Sequence, residues 1–79
     1  MHYVYILKSL QDQSYYKGCT DDLRKRIKKH NSDSVKYSST KSPYELEWYC
    51  AFKDKQKAFA FEKYLKSGSG FAFSKKHLL

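Results

Sequence analysis

The sequence predicts an α/β (α+β) fold, in which helices cover a small sheet that contains at least one hairpin. Apolar residues run together or alternate over segments of strand length, whereas in two other segments they recur four residues apart, as on one face of a helix. The predicted order is strand, strand, helix, strand, helix, helix. With 79 residues, 18% of them aromatic, the chain can build one modest core, so residues 1–79 are expected to form a single domain.

The first two strands are predicted to pair as a hairpin. Residues 3–8 are apolar on both faces, which is typical of a strand in the middle of a covered sheet. One face would carry Tyr3, Tyr5 and Leu7, and the other Val4 and Ile6. The polar residues 9–13 are predicted to form the loop, and residues 14–19 the returning strand.

The hairpin register decides whether Tyr5 and Tyr16 share a face. A turn centred on residues 11 and 12 places them on the same face and sets Tyr5 opposite Gly18, where the missing side chain would leave space for a ligand beside the phenol. A register shifted by one residue separates the two tyrosines, and the sequence leaves this choice open. For two isolated tyrosines, half-buried core positions are the commoner outcome.

A basic helix is predicted over residues 21–30. The preceding Thr-Asp-Asp, residues 20–22, offers an N-cap and places acids in the first turn, where the helix dipole favours them. Leu23 and Ile27 define the apolar stripe. Arg26 and His30 lie just beside this stripe and are expected to flank the sheet. Solvent is expected to surround Arg24, Lys25, Lys28 and Lys29.

Arg26 and His30 are the first candidates for chemistry. A guanidinium binds phosphate through two parallel hydrogen bonds, and an imidazole can move protons near neutral pH. The alternative, a solvated basic helix face, is the commoner outcome for such a pair. Their position beside the apolar stripe favours a more specific role.

A third strand is predicted over residues 45–52, after an irregular serine-rich stretch, residues 31–43, whose Lys36 and Lys41 could meet a ligand. The strand alternates cleanly, which places four apolar side chains on one face. These are Leu46, Trp48, Cys50 and Phe52.

The second helix is predicted over residues 55–67, with Ala58, Phe61 and Leu65 toward the core. The Gly-Ser-Gly run at residues 68–70 is expected to end it. Residues 71–79 would then form a short amphipathic tail that docks Phe73 and Leu78.

Glu62 is the only acid from residue 55 onward, among six lysines. A lone carboxylate on a helix could hold Mg²⁺ together with phosphate oxygens and water. The alternative is an exposed ion pair between Glu62 and Lys66, one helical turn away. Taken by itself, the sequence favours the ion pair.

The net charge indicates a polyanionic partner. Sixteen Lys and Arg residues against eight acids give +8, which attracts nucleic acid by counterion release. A lysine-rich surface without a partner is equally compatible with this charge. The apolar runs are far shorter than a membrane span, and the two cysteines, Cys19 and Cys50, are expected to be reduced thiols in a cytoplasmic protein.

The order of these features resembles the GIY-YIG nuclease family, in its small stand-alone bacterial form. The resemblance rests on Tyr3-Val4-Tyr5, then Tyr16-Lys17-Gly18, then Leu23 with Arg26 and His30, and finally Glu62 in a later helix. It covers the whole chain. Tyr3 stands where the first name-giving triplet has glycine, and Lys17 where the second has an apolar residue.

The resemblance implies a three-stranded antiparallel sheet flanked by helices, and metal-dependent cleavage of a DNA phosphodiester. The implied cofactor is Mg²⁺ or Mn²⁺, held by Glu62. The implied catalytic residues are Tyr5, Tyr16, Arg26, His30 and Glu62. Expected nucleic-acid contacts are Lys17, Gly18, Lys29, Lys36 and Lys66. DNA is the expected partner, with RNA as the alternative, and no membrane is expected to be involved.

Tyr5 is the favoured general base in this scheme. Because a free phenol has a pKa near ~10, the role requires neighbouring cations, such as Lys17, Arg26 and the metal, to lower it. Exposed tyrosines such as Tyr37 are expected to stack on unpaired bases. The alternatives are a non-catalytic nucleic-acid-binding module of the same fold, and an RNA-associated basic protein whose tyrosines only pack.

Overall fold

The computed structural model describes residues 1–32 and 43–79. The predictions for Lys36, Tyr37 and Lys41 therefore lie outside the described residues. Within these described residues, three strands and three helices follow the predicted order: β1 (His2–Ser9), β2 (Tyr15–Thr20), α1 (Leu23–His30), β3 (Tyr44–Phe52), α2 (Lys55–Leu65) and α3 (Gly68–His77). The fold is α+β, as predicted.

The sheet has the strand order β2-β1-β3, with β1 antiparallel to both neighbours. The central position of β1 explains why its sequence is apolar on both faces. Its four middle residues, Val4 to Leu7, have no exposed surface. The prediction of a central strand and the three-stranded antiparallel sheet implied by the family resemblance are both confirmed.

Helices cover both faces of the sheet, and each face has its own core. On one face, Val4 and Ile6 pack with Ala58 and Leu65 of α2. This apolar face also receives Cys19, Trp48, Cys50, Phe52, Phe61, Phe73 and Leu78. On the other, which we call the tyrosine face, the core consists of Tyr5, Leu7 and Tyr44. Tyr16, Leu23, Ile27 and Leu46 pack against it.

A β-bulge in β3 corrects the predicted alternation. Ile6 pairs with Trp48, but the next residue, Leu7, pairs with Leu46, so that Glu47 is an extra residue in β3. One extra residue reverses which side chains point to which face. Leu46 therefore packs on the tyrosine face and does not share the face of Trp48, contrary to the sequence prediction.

Helix α1 begins two residues later than predicted. Asp22 is its N-cap, and a carboxylate oxygen of Asp22 accepts a hydrogen bond of 3.0 Å from the backbone N–H of Lys25. The first turn consequently contains no acidic residue. The prediction of acids in this turn was wrong because the capping bond holds Asp22 outside the helix.

The run Gly68-Ser69-Gly70 begins α3, whereas we predicted that it ends the preceding helix. Ser67 caps α3 by accepting a hydrogen bond of 3.1 Å from the Gly70 N–H, and α2 has already ended at Leu65. A Cβ atom at Gly70 would collide with the carbonyl oxygen of Tyr64 and lie 2.7 Å from the Leu65 Cα. Glycine thus permits the close approach of two successive helices. Phe73 and Leu78 dock on the core, as predicted.

None of the helices within residues 1–32 and 43–79 combines the length and the apolar character that crossing a membrane requires.

Candidate active site

Tyr5 lies at the centre of the tyrosine face. It pairs with Gly18 across the hairpin, which confirms the register that brings Tyr5 and Tyr16 to the same face. A Cβ atom at Gly18 would contact the Tyr5 Oη and lie 2.6 Å from the ring carbon that bears it. The space beside Gly18 is thus filled by the Tyr5 phenol itself, which corrects the prediction that a ligand occupies it.

His30, the last residue of α1, contacts Tyr5 directly. The Tyr5 Oη and the His30 Nε2 are 3.2 Å apart, and only 3% of His30 is exposed. Leu23 and Ile27 hold α1 against the sheet and thereby drive the imidazole inward. His30 is therefore not part of a solvated basic face, whereas Arg24, Lys25, Lys28 and Lys29 are exposed as predicted.

Three tyrosine rings surround the His30 imidazole. The ring centroids of Tyr16, Tyr44 and Tyr5 lie 4.6, 5.8 and 6.2 Å from that of His30. Tyr5 and Tyr16 also stack on each other, with centroids 6.3 Å apart. The structure thus brings together three of the predicted site residues, Tyr5, Tyr16 and His30.

Tyr44 is a member of this cluster that the sequence analysis missed. The amide side chain of Asn31 fixes its position by donating a hydrogen bond of 3.1 Å to the Tyr44 carbonyl and accepting one of 2.6 Å from the Tyr44 N–H. Asn31 also caps α1 through its backbone N–H, which donates to the Ile27 carbonyl. The predicted strand began one residue too late to include Tyr44, and the bulge concealed the face to which it points.

The surroundings of His30 favour its neutral form. Burial is the largest cause that lowers its pKa, followed by the positive charges of Arg26 and Lys29. Its Nδ1 is buried and has no hydrogen-bond partner among the described residues. A neutral imidazole can accept the Tyr5 hydroxyl proton at Nε2.

The Tyr5 phenol is also held in its neutral form. Burial raises its pKa, and the neighbouring Tyr16 and the Glu62 carboxylate raise it further. The charge of the Arg26 guanidinium and a hydrogen bond from it act in the opposite direction, but burial outweighs both. Arg26 lowers the Tyr5 pKa, as predicted. Arg26 alone thus does not bring the Tyr5 pKa below its ordinary value, and the expectation that Lys17, Arg26 and the metal together lower it stays a prediction.

Arg26 stands between this buried cluster and an open cleft. It lies one turn before His30, is partly buried, and acts electrostatically on both Tyr5 and His30. The cleft has a volume of about 210 Å³. Its lining consists of Thr20, Asp21, Asp22, Lys25, Arg26 and Lys29. A phosphate in this cleft would meet Lys25, Arg26 and Lys29 but also two carboxylates.

Glu62 forms the ion pair that the sequence predicts, and its role as a metal ligand stays a prediction. Its carboxylate lies 3.4 Å from the Lys66 ammonium, with the side chain 22% exposed, so the predicted ion pair forms. The same carboxylate also raises the pKa of Tyr5 and, after the larger effect of burial, that of the Cys19 thiol. The charge of Glu62, on α2, therefore acts on Tyr5, on the side of the sheet that carries Arg26.

The side chains available as metal ligands suit a cation that keeps most of its bound water molecules. Within residues 1–32 and 43–79, no group of three or more His, Cys, Asp or Glu side chains could hold a metal. Mg²⁺, however, is commonly bound through one or two carboxylates together with substrate phosphates and water. Glu62 fits that pattern, provided that substrate supplies further oxygens.

The predicted nucleic-acid contacts fall into different surroundings. Gly18 is buried, so it shapes the site but offers little surface to a ligand. Lys29 is exposed beside the Arg26 cleft. Lys17 and Lys66 lie near each other: burial lowers the Lys17 pKa, and the Lys66 charge lowers it further. Lys36 lies outside the described residues.

Comparison with known proteins identifies the family. The model of the GIY-YIG catalytic domain matches residues 1–76. The chain is 43% identical to a UPF0213 protein of Clostridium perfringens over 84% of its own length and 71% of the relative's. It is 39% identical to the UPF0213 protein YazA of Bacillus subtilis, over 82% and 66% of the two lengths. A UPF0213 protein of Halalkalibacterium halodurans is 42% identical, over 82% and 69%.

The match thus spans about two thirds of the length of these relatives. No solved structure matches the chain significantly. The family match covers almost all of the described sheet and helices, including every residue of the tyrosine face. On these grounds, the chain belongs to the GIY-YIG family, as its sequence motifs indicated.

Proposed function

We propose that this protein is a metal-dependent DNA endonuclease that hydrolyses phosphodiester bonds. The observation that carries the proposal is the buried contact of 3.2 Å between the Tyr5 hydroxyl and the His30 imidazole, with the Arg26 and Glu62 charges alongside. A phenol and an imidazole that are both neutral form a proton-transfer pair. Such a pair, between a phosphate-binding guanidinium and a carboxylate, suits phosphodiester hydrolysis.

The pair solves the problem that the raised Tyr5 pKa creates. A neutral phenol is a poor base, but it can accept a proton from the attacking water while its own proton passes to the neutral His30 Nε2. Burial keeps the imidazole unprotonated and available to accept this proton, while it also disfavours the imidazolium that forms. Tyr16, which stacks on the Tyr5 ring and makes a tilted contact with the His30 ring, would orient both side chains.

The charged residues would bind the substrate phosphate. Arg26 would stabilise the negative charge that builds up on the non-bridging oxygens. Glu62 would hold the divalent cation, Mg²⁺ or Mn²⁺, whose chemistry is Lewis-acid polarisation of the phosphate. Lys66 would have to release Glu62, and a substrate phosphate offers its ammonium a substitute partner.

The proposed substrate is DNA, with RNA as the alternative. The surface of the described residues is too small to read many base edges, which favours recognition of the backbone and of branched or damaged shapes, and thus a role in DNA repair. Both cysteines are free thiols, which supports the proposal of a cytoplasmic protein. We propose that residues 1–79 act as one domain.

The test is cleavage of supercoiled, single-stranded and branched DNA with Mg²⁺ or Mn²⁺, comparing the parent chain with Glu62→Gln. We expect the parent chain to nick DNA and EDTA or Glu62→Gln to abolish nicking. The matched control is Glu45→Gln, which removes an exposed carboxylate from β3, at the opposite edge of the sheet from β2. Binding without cleavage on every substrate would contradict the proposal and indicate a non-catalytic binding module.

A further inference from the structure

A second cavity lies on the other side of strand β2 from the His30 cluster. Its volume is about 340 Å³. We call it the aromatic basin and define it by its lining residues, Tyr15, Lys17, Phe71, Lys75 and Leu79. Because side chains alternate along a strand, Tyr15 and Lys17 point away from the face that carries Tyr16 and Gly18. The basin therefore shares no lining residue with the proposed active site.

The floor of the basin is apolar and open. Phe71, Tyr15 and Leu79 are 53%, 42% and 40% exposed. Neither Phe71 nor Tyr15 belongs to the two cores, so their side chains are not needed to fill the interior. An exposed aromatic floor of this kind offers π surface to a flat ligand, provided that the lysines lying over the Phe71 ring shift to the phosphates of that ligand.

Two cations lie over the Phe71 ring of the same floor. The Lys17 and Lys75 ammonium groups lie 5.0 and 6.0 Å from the centroid of the Phe71 ring. Burial and the nearby Lys66 both disfavour the charged form of Lys17, so an added anion would relieve this strain. The charge complementarity indicates a ligand that carries a negative charge beside a flat, apolar group.

We propose that the aromatic basin binds an unpaired nucleotide of a single-stranded nucleic acid. Its base stacks on Phe71 and Tyr15, and the flanking phosphates contact Lys17 and Lys75. Base–aromatic stacking next to a cationic groove is how proteins hold single strands without reading sequence. The proposal rests on the proposed nuclease function for the class of ligand, but it concerns binding and not the reaction.

The position of the basin connects it to the site. Lys17 couples electrostatically to Lys66, and Lys66 pairs with Glu62 at 3.4 Å. A strand that leaves the Glu62 carboxylate can thus follow Lys66 and Lys17 over the edge of β2 into the basin. The basin would favour substrates with an unpaired stretch next to the cleavage point, such as flaps, gaps and bubbles.

The test is fluorescence anisotropy with labelled DNA in EDTA, so that cleavage is not required. The probes are a 12-nucleotide single strand and the blunt duplex of the same sequence. Phe71→Ala should weaken single-strand binding about tenfold, as expected for the loss of one stacked base, and leave duplex binding within about twofold. Because Phe71 is exposed, the variant should fold, which circular dichroism would verify.

The matched control is Phe59→Ala. Phe59 is also exposed, at 48%, and also lies under a lysine, with the Lys55 ammonium 5.5 Å from its ring, but it is outside the basin. It should bind both probes like the parent chain. A second variant, Phe71→Leu, keeps an apolar side chain without a π face and should lose single-strand affinity as Phe71→Ala does.

A direct readout of stacking completes the test. A 2-aminopurine base in the single strand should change its fluorescence on binding to the parent chain but not to Phe71→Ala. Equal single-strand affinity of the parent and Phe71→Ala would overturn the proposal, as would equal losses for both probes. If Phe71→Ala instead abolishes binding of a polyglutamate peptide and spares both DNA probes, the basin binds acidic protein segments and the proposal is wrong.

These outcomes are independent of whether the protein cleaves DNA. If the protein binds single strands through Phe71 but never cuts DNA, the basin proposal stands and the proposed nuclease function is wrong. If the protein cuts DNA with Mg²⁺ but binds single strands equally well without the Phe71 ring, the proposed nuclease function stands and the basin proposal is wrong.

Discussion

The two faces of the sheet differ in what they bury, although one strand supplies both. On the apolar face, Val4 and Ile6 meet Ala58 and Leu65, four residues whose side chains are hydrocarbon. On the tyrosine face, the same strand contributes Tyr5, whose hydroxyl contacts a histidine that is 3% exposed. A buried imidazole with an unpartnered nitrogen lowers stability. From this comparison we expect that one face maintains the fold and that the other carries the proposed chemistry.

The largest effect should come from removing a single oxygen from the tyrosine face. Tyr5→Phe keeps the ring that fills the space over Gly18 but deletes the hydroxyl that contacts His30. If the pair transfers protons, cleavage should fall about 10²- to 10⁴-fold, while the fold survives with a loss of about 1 kcal/mol. Nicking rates and urea unfolding measure the two quantities.

The control for this variant is Tyr3→Phe, which removes the hydroxyl of a partly exposed tyrosine on the same strand. Its cleavage rate should match that of the parent chain. Full activity of Tyr5→Phe would show that the buried contact is structural and would remove the distinction between the two faces.

The apolar face should show the reverse pattern. Leu65→Ala removes a side chain with no exposed surface and leaves a cavity between α2 and the sheet. Loss of burial and the cavity together should reduce the free energy of unfolding by about 2–5 kcal/mol. Molecules that remain folded should still cleave DNA at the parent rate.

Urea unfolding gives the stability of Leu65→Ala, and nicking at low temperature, where the variant is folded, gives its activity. The exposed Leu10, 48% accessible, offers Leu10→Ala as the control, which should change neither quantity. A fully folded Leu65→Ala protein without activity would mean that the two faces are not separate in function.

Asn31 tests how precisely the tyrosine face must be assembled. Asn31→Ala deletes both side-chain hydrogen bonds to the Tyr44 backbone, at 3.1 and 2.6 Å. Losing these two hydrogen bonds should lower the free energy of unfolding by about 1–3 kcal/mol. Since Tyr44 packs against His30, cleavage should fall as well.

Two readouts distinguish positioning from mere destabilisation. Asn31→Asp retains an acceptor for the Tyr44 N–H but loses the donor to its carbonyl, so it should recover part of the stability and part of the activity. Cleavage by folded Asn31→Ala that equals the parent rate would show that Tyr44 needs no such support.

The smallest expected effect is the pH dependence that His30 gives to stability. Its pKa in the folded protein is lowered, so between the folded value and the ordinary value near ~6.5 the unfolded chain binds more protons. The free energy of unfolding should therefore fall as the pH drops below about 6.5, by less than about 1.4 kcal/mol per pH unit. Above that pH, His30 contributes no slope.

Urea unfolding at pH 7.5, 6.5 and 5.5 measures this slope, and His30→Gln should reduce it. The exposed His77, replaced by Gln, is the control and should leave the slope unchanged. If His30→Gln keeps the full slope, the imidazole is not the group that titrates, and burial on the tyrosine face does not lower its pKa.

Much of the fold could be predicted from local patterns. The apolar run of β1 indicated a central strand, and the four-residue spacings indicated α1 and α2, because these periodicities arise from geometry within one element. The bulge at Glu47 could not be predicted, since an extra residue becomes visible only when β3 is paired with β1. For the same reason the face of Leu46 was assigned wrongly and Tyr44 was missed.

The candidate site divides in the same way. Tyr5, Tyr16, Arg26, His30 and Glu62 were named from their spacing and from the family resemblance. Their protonation states could not be predicted in this way, because a pKa depends on burial and on neighbouring charges that belong to other elements. The Tyr5 pKa is raised because desolvation outweighs Arg26, and its lowering by a bound metal stays a prediction.

The sequence by itself determined which elements form and which residue types are available to the site, because both follow from contacts within a few residues. The tertiary structure alone decided which side chains meet. It placed His30 3.2 Å from Tyr5. The pairing register of β1 decided which side chains share a sheet face, and the packing of α3 beside β2 formed the aromatic basin. These features depend on packing between residues distant in the chain, for which no local pattern carries a signal.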